Sequence, residues 1–200
     1  TAPHARLDVP TQAYPAGKGV SGGIQWAGTP GHMINTASGT INSYIHPDYA
    51  NATYDNDNNS STAEVAWPDY AKRHATMIRR LDDALADQTQ TRKALGLDNN
   101  TLVVFTSDNG PLSQAGSGGP YTSSPTFFDS FGPMDGFQRD SWEGGMREPC
   151  IVRWPGHIAA GSVSTNACQF HDWMPTFAEL AGVPAPARSD GVSLTPTLTG

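Results

Sequence analysis

The sequence predicts an α/β fold, a mixed, mostly parallel sheet flanked by helices. Three observations carry that expectation. A helical pattern over residues 64–95 runs through a short loop into an apolar, β-branched stretch, Thr101-Leu-Val-Val-Phe-Thr106. A second apolar run spans Pro149 to Trp154. A second helical pattern opens at Asp172. Helix, loop and strand in succession make half of the alternating unit from which such sheets are built.

Taken in order, residues 1–63 show little periodicity and are rich in Gly, Pro, Ser, Thr and Asn. Pro3, Pro10, Pro15, Pro30 and Pro47 preclude a long helix there. A loop this long in a compact domain is usually functional or disordered, and its aromatic residues argue for order. Asp55-Asn-Asp-Asn-Asn-Ser60 reads as a solvated surface turn, because the Gly and Glu that would complete a calcium loop are missing. From 64 to 95, Tyr70, His74, Met77, Ile78, Leu81 and Leu85 recur on one helical face. Lys72, Arg73, Arg79, Arg80, Asp82 and Asp83 fall mostly on the solvent side, and His74 reads as a packed residue. Pro68 or Asp69 starts the helix and Gly96 stops it.

The run Thr101–Thr106 reads as a strand buried on both faces. It ends in Ser107-Asp-Asn-Gly110. Residues 107–141 are again loop-like, and a loop placed directly after a strand's carboxyl end suits an active site. Glu143, Gly144, Gly145 and Arg147 shape and brace a turn ahead of the second strand. Pro155-Gly156 ends that strand. Asp172 is an N-cap candidate for a helix whose apolar face is Phe177, Leu180 and Ala181, with Gly182 as its stop. Residues 190–200 read as loop.

The bulk composition narrows the function. The net charge is -7, from 12 basic and 19 acidic residues. That balance disfavours nucleic acid and anionic membranes as partners. No apolar run approaches the roughly 18 residues of a membrane span. Twenty-one glycines and 16 prolines point to long ordered loops. Cys150 and Cys168 lack metal-ligand spacing. Cys150 reads as a buried structural thiol, and spacing alone leaves a Cys150–Cys168 disulfide undecided.

Asp108 and Asn109 read locally as an Asn-Gly turn, or as a carboxylate and an amide carbonyl for a hard cation such as Ca²⁺ or Mg²⁺. Calcium takes about six to eight oxygens, so two residues make at most part of a site. No phosphate-cradling loop, Gly-x-Ser-x-Gly elbow or His-Glu-x-x-His is present. His4 is a candidate proton donor. His32 and His46, in the early loop, are candidate pocket residues, with surface or packing roles as the plainer reading.

Five segments together resemble the sulfatase family, within the alkaline-phosphatase-like superfamily. They are Ala2-Pro-His4, Thr106-Ser-Asp-Asn-Gly110, Glu143-Gly-Gly-Met-Arg-Glu-Pro149, Arg153-Trp-Pro-Gly156 and Asp172-Trp-Met-Pro-Thr176. The resemblance implies that residues 1–200 form part of a single sulfatase-like catalytic domain with the alkaline-phosphatase-like fold. It implies Asp108 and Asn109 as ligands of one Ca²⁺, and His4 as the histidine that contacts the sulfate ester and assists the leaving oxygen. It places Gln138 where the family carries a sulfate-binding lysine. Glutamine donates a neutral hydrogen bond and cannot offset charge.

The implied reaction is hydrolysis of an aryl or carbohydrate sulfate ester. The formylglycine nucleophile, from a Cys/Ser-x-Pro-x-Arg motif that these residues lack, is expected outside them, together with paired acidic metal ligands. The segment therefore reads as a central-to-C-terminal piece and is expected to be inactive alone. A periplasmic or secreted location follows as a family expectation. A phosphoester or phosphonate hydrolase of the same superfamily is one rival. A non-catalytic, sulfated-glycan-binding relative is the other.

Overall fold

The computed structural model describes residues 45–113 and 124–200. Its elements run α1 (Pro47–Ala50), β1 (Thr53–Tyr54), β2 (Val65–Ala66), α2 (Asp69–Ala94), a 3-10 turn (Asp98–Asn100), β3 (Val103–Thr106), α3 (Glu143–Met146), β4 (Cys150–Arg153), a second 3-10 turn (Phe170–Asp172), α4 (Trp173–Leu180) and α5 (Thr195–Thr199). The described residues divide into two compact units, 45–92 with 106–113 and 124–149, and 93–105 with 150–200.

The expected mixed, mostly parallel sheet is not what the described residues form. They are mainly helical, with two two-stranded sheets, β1–β2 and β3–β4. The first is antiparallel, with Thr53 opposite Ala66 and Tyr54 opposite Val65. β3 is half-buried along its length, and β4 exposes Cys150 and Ile151, the latter at 62%. The apolar runs did mark strands, but burial on both faces needs neighbouring strands and covering helices, which a local pattern does not report. Cys150 is likewise exposed rather than a buried thiol, and it is not joined to Cys168, which is also exposed.

In the first unit, α2 is the long amphipathic helix that the periodicity indicates. Its first carbonyl ladder starts at Pro68, whose oxygen accepts from Ala71 N at 2.9 Å. It stops before Gly96, which adopts φ +68°. Ala71 and Thr76 are fully buried. Thr76 Oγ1 donates to Lys72 O at 2.8 Å and accepts from His46 N at 3.0 Å, tying the chain ahead of α1 to α2. Arg73 departs from expectation. It is buried, not solvent-facing, because helical spacing ranks residues by character and not by what packs over them. Trp67 anchors an aromatic cluster. It lies parallel to Tyr49 and edge-on to Phe127 and Phe128, while its Nε1 donates to Thr53 O at 3.0 Å. His74 packs 5.8 Å from Phe128, and burial, which penalises the charged form, pushes its imidazole below the usual histidine value.

In the second unit, Arg153 on β4 forms a two-pronged pair with Asp98, at 2.7 and 2.8 Å. Asp172 is a junction. Its Oδ2 accepts from Gln169 N at 2.8 Å and its Oδ1 from Val192 N at 2.9 Å. It thus closes the 3-10 turn and holds the following segment, and its side chain does not cap α4 as expected. Below it, the buried hydroxyl of Thr176 donates to Asp172 O at 2.6 Å and accepts from Leu194 N at 2.8 Å. The buried face of α4 is Trp173, Pro175, Thr176 and Ala178, whereas Phe177 is 46% exposed. Residues 195–199, expected as loop, form α5. Gly182, the expected helix stop, has φ +70°.

The two backbone donors, Val192 first, hold the Asp172 carboxyl below the usual aspartate value. Its stabilising contribution is therefore complete above the unfolded value of about 3.9 and is lost as pH falls through the lower folded value. Asp172→Ala should cost about 2 kcal/mol, from two charge-assisted hydrogen bonds. The stability gap between the parent and Asp172→Asn should narrow below about pH 4. Urea unfolding across that pH range checks both; a gap that widens toward acid would contradict the assignment.

Candidate functional site

The site is built around the end of β3. Ser107 Oγ donates to Asn109 O at 3.1 Å, which curls the chain into a bend directly after the strand. The bend leaves the Asp108 side chain exposed and Asn109 half-buried. Gly110 then donates its N–H to Gly145 O at 3.0 Å. A Cβ added to Gly110 would collide with the Gly144 carbonyl oxygen and lie 2.9 Å from Gly145 Cα. Glycine is required here by close backbone approach.

The same holds one layer further. Gly144 N donates to Asp135 O at 2.7 Å, and a Cβ on Gly144 would meet the carbonyl oxygens of Asp135 and Gly136. A Cβ on Gly145 would meet those of Phe137 and Asp140. The strand end, α3 and the 135–140 turn are therefore stacked backbone on backbone. Arg147 braces α3 through Glu143, with Nε 2.5 Å from Oε2 and N–H donating to Glu143 O at 2.7 Å. This is the turn-and-brace role expected for Glu143 and Arg147.

Gln138 enters through its backbone. Its N–H donates to Pro111 O at 2.9 Å, which fixes position 138 beside the chain leaving Asp108 and Asn109. The surrounding turn is closed from both sides. Phe137 N donates to Asp140 Oδ2 at 2.9 Å, and Asp140 N donates to Phe137 O at 2.9 Å. Within it Arg139 adopts φ +83°, a left-handed conformation that costs an L-residue about 1–2 kcal/mol.

Glu148 is a residue that the sequence reading did not single out. It is half-buried, and burial first, then the negative charge of Asp108, raise its carboxyl above the usual glutamate value. Two carboxylates thus repel one another at the end of β3. The oxygens of Asp108 and Asn109, with this excess negative charge beside them, fit a hard divalent cation in kind. In number they make part of a shell. Among the described residues no group of three or more His, Cys, Asp or Glu could hold a metal ion. The sequence signal for Glu148 was weak. It is a charged residue beside Arg147, and only the seam between Gly110 and Gly145 brings it toward Asp108. His4 and His32 lie outside the described residues. His46 takes a local capping role, its Nδ1 accepting from Asp48 N at 3.2 Å.

The glycine seam makes a direct prediction. Gly110→Ala should separate the end of β3 from α3 and cost about 3 kcal/mol, at the upper end of overpacking penalties. That corresponds to a thermal midpoint lower by roughly 6–12 °C for a domain of this size. Calorimetry decides, and an unchanged midpoint would mean that the backbones are not pressed together.

The model of the sulfatase family matches residues 36–183. The chain is 38% identical to N-acetylgalactosamine-6-sulfatase of Mus musculus, over 63% of this chain and 23% of that protein. It is 35% identical to steryl-sulfatase of Rattus norvegicus, over 70% of this chain and 25% of that protein. Human arylsulfatase A (Homo sapiens) is 38% identical over 62% of this chain and 22% of its own length. Among solved structures, Ps i-CgsB in complex with k-i-k-neocarrahexaose aligns with a TM-score of 0.53 and 29% identity, covering 63% of this chain and 26% of that one. A protein in complex with its substrate D-glucosamine-2-N,6-O-disulfate aligns with a TM-score of 0.52 and 27% identity, covering 66% and 23%. The chain thus spans about a quarter of the length of the relatives it matches. The family model covers most of its residues, the strand-end and glycine-turn motifs included, and the chain belongs to the sulfatase family.

Proposed function

We propose that the protein hydrolyses a sulfate ester, with a sulfated sugar or aryl sulfate as substrate. The observation that carries this reading is the stacking of the Asp108–Asn109 bend on the Glu143–Met146 turn, which gathers oxygen donors and position 138 at one strand end. Family membership supports the reaction class. The two solved relatives named above, one holding k-i-k-neocarrahexaose and one its disulfated glucosamine substrate, support a carbohydrate.

In this reading Asp108 and Asn109 would hold one Ca²⁺ through a carboxylate and an amide oxygen. Bound there, the ion supplies Lewis-acid polarisation and orientation of the sulfate oxygens. The Gln138 amide donates a neutral hydrogen bond to the ester. His4 gives a proton to, or hydrogen-bonds, the departing alcohol oxygen, where negative charge develops. Burial first, and then the charge of Asp108, raise the Glu148 carboxyl above the usual glutamate value beside this site. The nucleophile, a formylglycine, belongs to sequence other than these residues, and export to the periplasm or exterior fits the same proposal.

The second reading is a non-catalytic relative that binds sulfated glycans. It is favoured by one observation, the neutral side chain at Gln138. Two measurements on the full-length protein separate the readings. Asp108→Ala should lower turnover of an aryl or sugar sulfate about 100-fold or more, through the lost electrostatic stabilisation, and should weaken calcium binding measured by calorimetry. Undiminished turnover would reject the metal-centred mechanism. Elemental analysis should find one calcium per chain, whereas two transition ions would favour the phosphoester or phosphonate hydrolase. Gln138→Lys raises activity sharply if the site is a weakened enzyme, and lowers it if the site is already adapted to glutamine.

A further inference from the structure

We propose that Arg139 is the cation that recognises the sulfate group, supplying the positive charge that Gln138 does not. The proposal rests on the sulfate-ester reading and assigns a specificity-determining residue within it.

Backbone strain comes first. The described non-glycine residues with positive φ are Asn58 at 54°, Asp129 at 50° and Arg139 at 83°. Asn and Asp tolerate this region, because their short side chains hydrogen-bond the local backbone. Arginine has no such compensation. The turn enforces the conformation by clamping Phe137 and Asp140 to each other through two hydrogen bonds of 2.9 Å. Strain that the surroundings maintain in this way is a feature of ligand-binding positions.

Charge comes second. Arg139 is exposed and makes no ion pair among the described residues. Arg147, the other arginine of the segment, is engaged by Glu143 at 2.5 Å. The chain carries a net charge of -7, and Asp108 and Glu148 add negative charge at the end of β3. An anionic ester approaching there needs an uncommitted cation to offset the repulsion. A guanidinium matches two oxygens of a tetrahedral oxyanion in a fork that ammonium cannot reproduce.

Position comes third. The Gln138 N–H bond to Pro111 O holds this turn against the chain just past Asp108 and Asn109. In extended chain, neighbouring side chains point to opposite sides. The left-handed turn at Arg139 breaks that alternation, so an arginine next to Gln138 can serve the same ligand.

The test uses the full-length protein and inorganic sulfate, with affinity read by calorimetry and by competitive inhibition of aryl sulfate turnover. Arg139→Gln should weaken sulfate binding at least tenfold and flatten its dependence on ionic strength, with calcium affinity unchanged. Arg139→Lys should retain part of the affinity. Arg139→Gly should raise the thermal midpoint, since glycine accepts φ +83° without strain, yet bind sulfate as weakly as the glutamine variant. Gain of stability with loss of affinity is a combination that a purely structural role does not produce. Sulfate affinity unchanged in both the Gln and Gly variants overturns the proposal, as does absence of sulfate binding by the parent protein. If Asp108→Ala abolishes turnover while the Arg139 variants change nothing, this inference alone fails. If neither does, the sulfate-ester reading fails with it.

Discussion

The candidate site depends on three backbones lying closer together than side chains allow. Gly110, Gly144 and Gly145 let the end of β3, the first turn of α3 and the 135–140 turn stack directly. The stacking is held by backbone hydrogen bonds, Gly110 to Gly145, Gly144 to Asp135 and Gln138 to Pro111. These bonds satisfy groups that would otherwise be buried without partners. They also convert three separated pieces of sequence into one surface, with Asp108, Asn109, Gln138 and Glu148 on it. The stacked backbone fixes where these residues sit, with Asp108 exposed and Asn109, Gln138 and Glu148 half-buried.

Electrostatics at this surface is unbalanced by design of the sequence. Asp108 and Glu148 concentrate negative charge, and burial makes Glu148 reluctant to ionise. Such repulsion is relieved by a cation, which is why oxygen donors at the strand end suit a hard metal ion. An anionic ester introduces charge of the opposite demand, and the neutral amide of Gln138 does nothing to meet it. The chain belongs to the sulfatase family, and under the proposed function both demands arise at one site. Under the proposed function a calcium ion would answer the first at the carboxylates, and Arg139 would answer the second at the ester oxygens.

How far the architecture could be read in advance differs from element to element. The long helix was legible, since Tyr70 to Leu85 recur at helical spacing and Gly96 stops the chain at φ +68°. Both apolar runs became strands, β3 and β4, within a few residues of the expected bounds. Their assembly into a larger mixed sheet did not follow, because pairing is decided between distant residues. Burial was misjudged for the same reason. Arg73 is covered and Phe177 is not, although helical spacing argued the reverse. Asp172, expected as a helix cap, instead joins Gln169 to Val192, a partner twenty residues on that no cap rule foresees.

The sequence by itself determined the chemistry on offer. It set the oxygen pair at a strand end, the glycines, the glutamine at position 138, the acidic balance and the family motifs, because side-chain identity, helical periodicity and turn preference are local properties. Only the tertiary structure decided what these meet. It stacked Gly110 on Gly144 and Gly145, brought Glu148 under the influence of Asp108, and held Arg139 in a left-handed turn beside Gln138. Close approach, mutual repulsion and enforced strain are relations between separated parts of a chain, and they take values only once its backbone has folded.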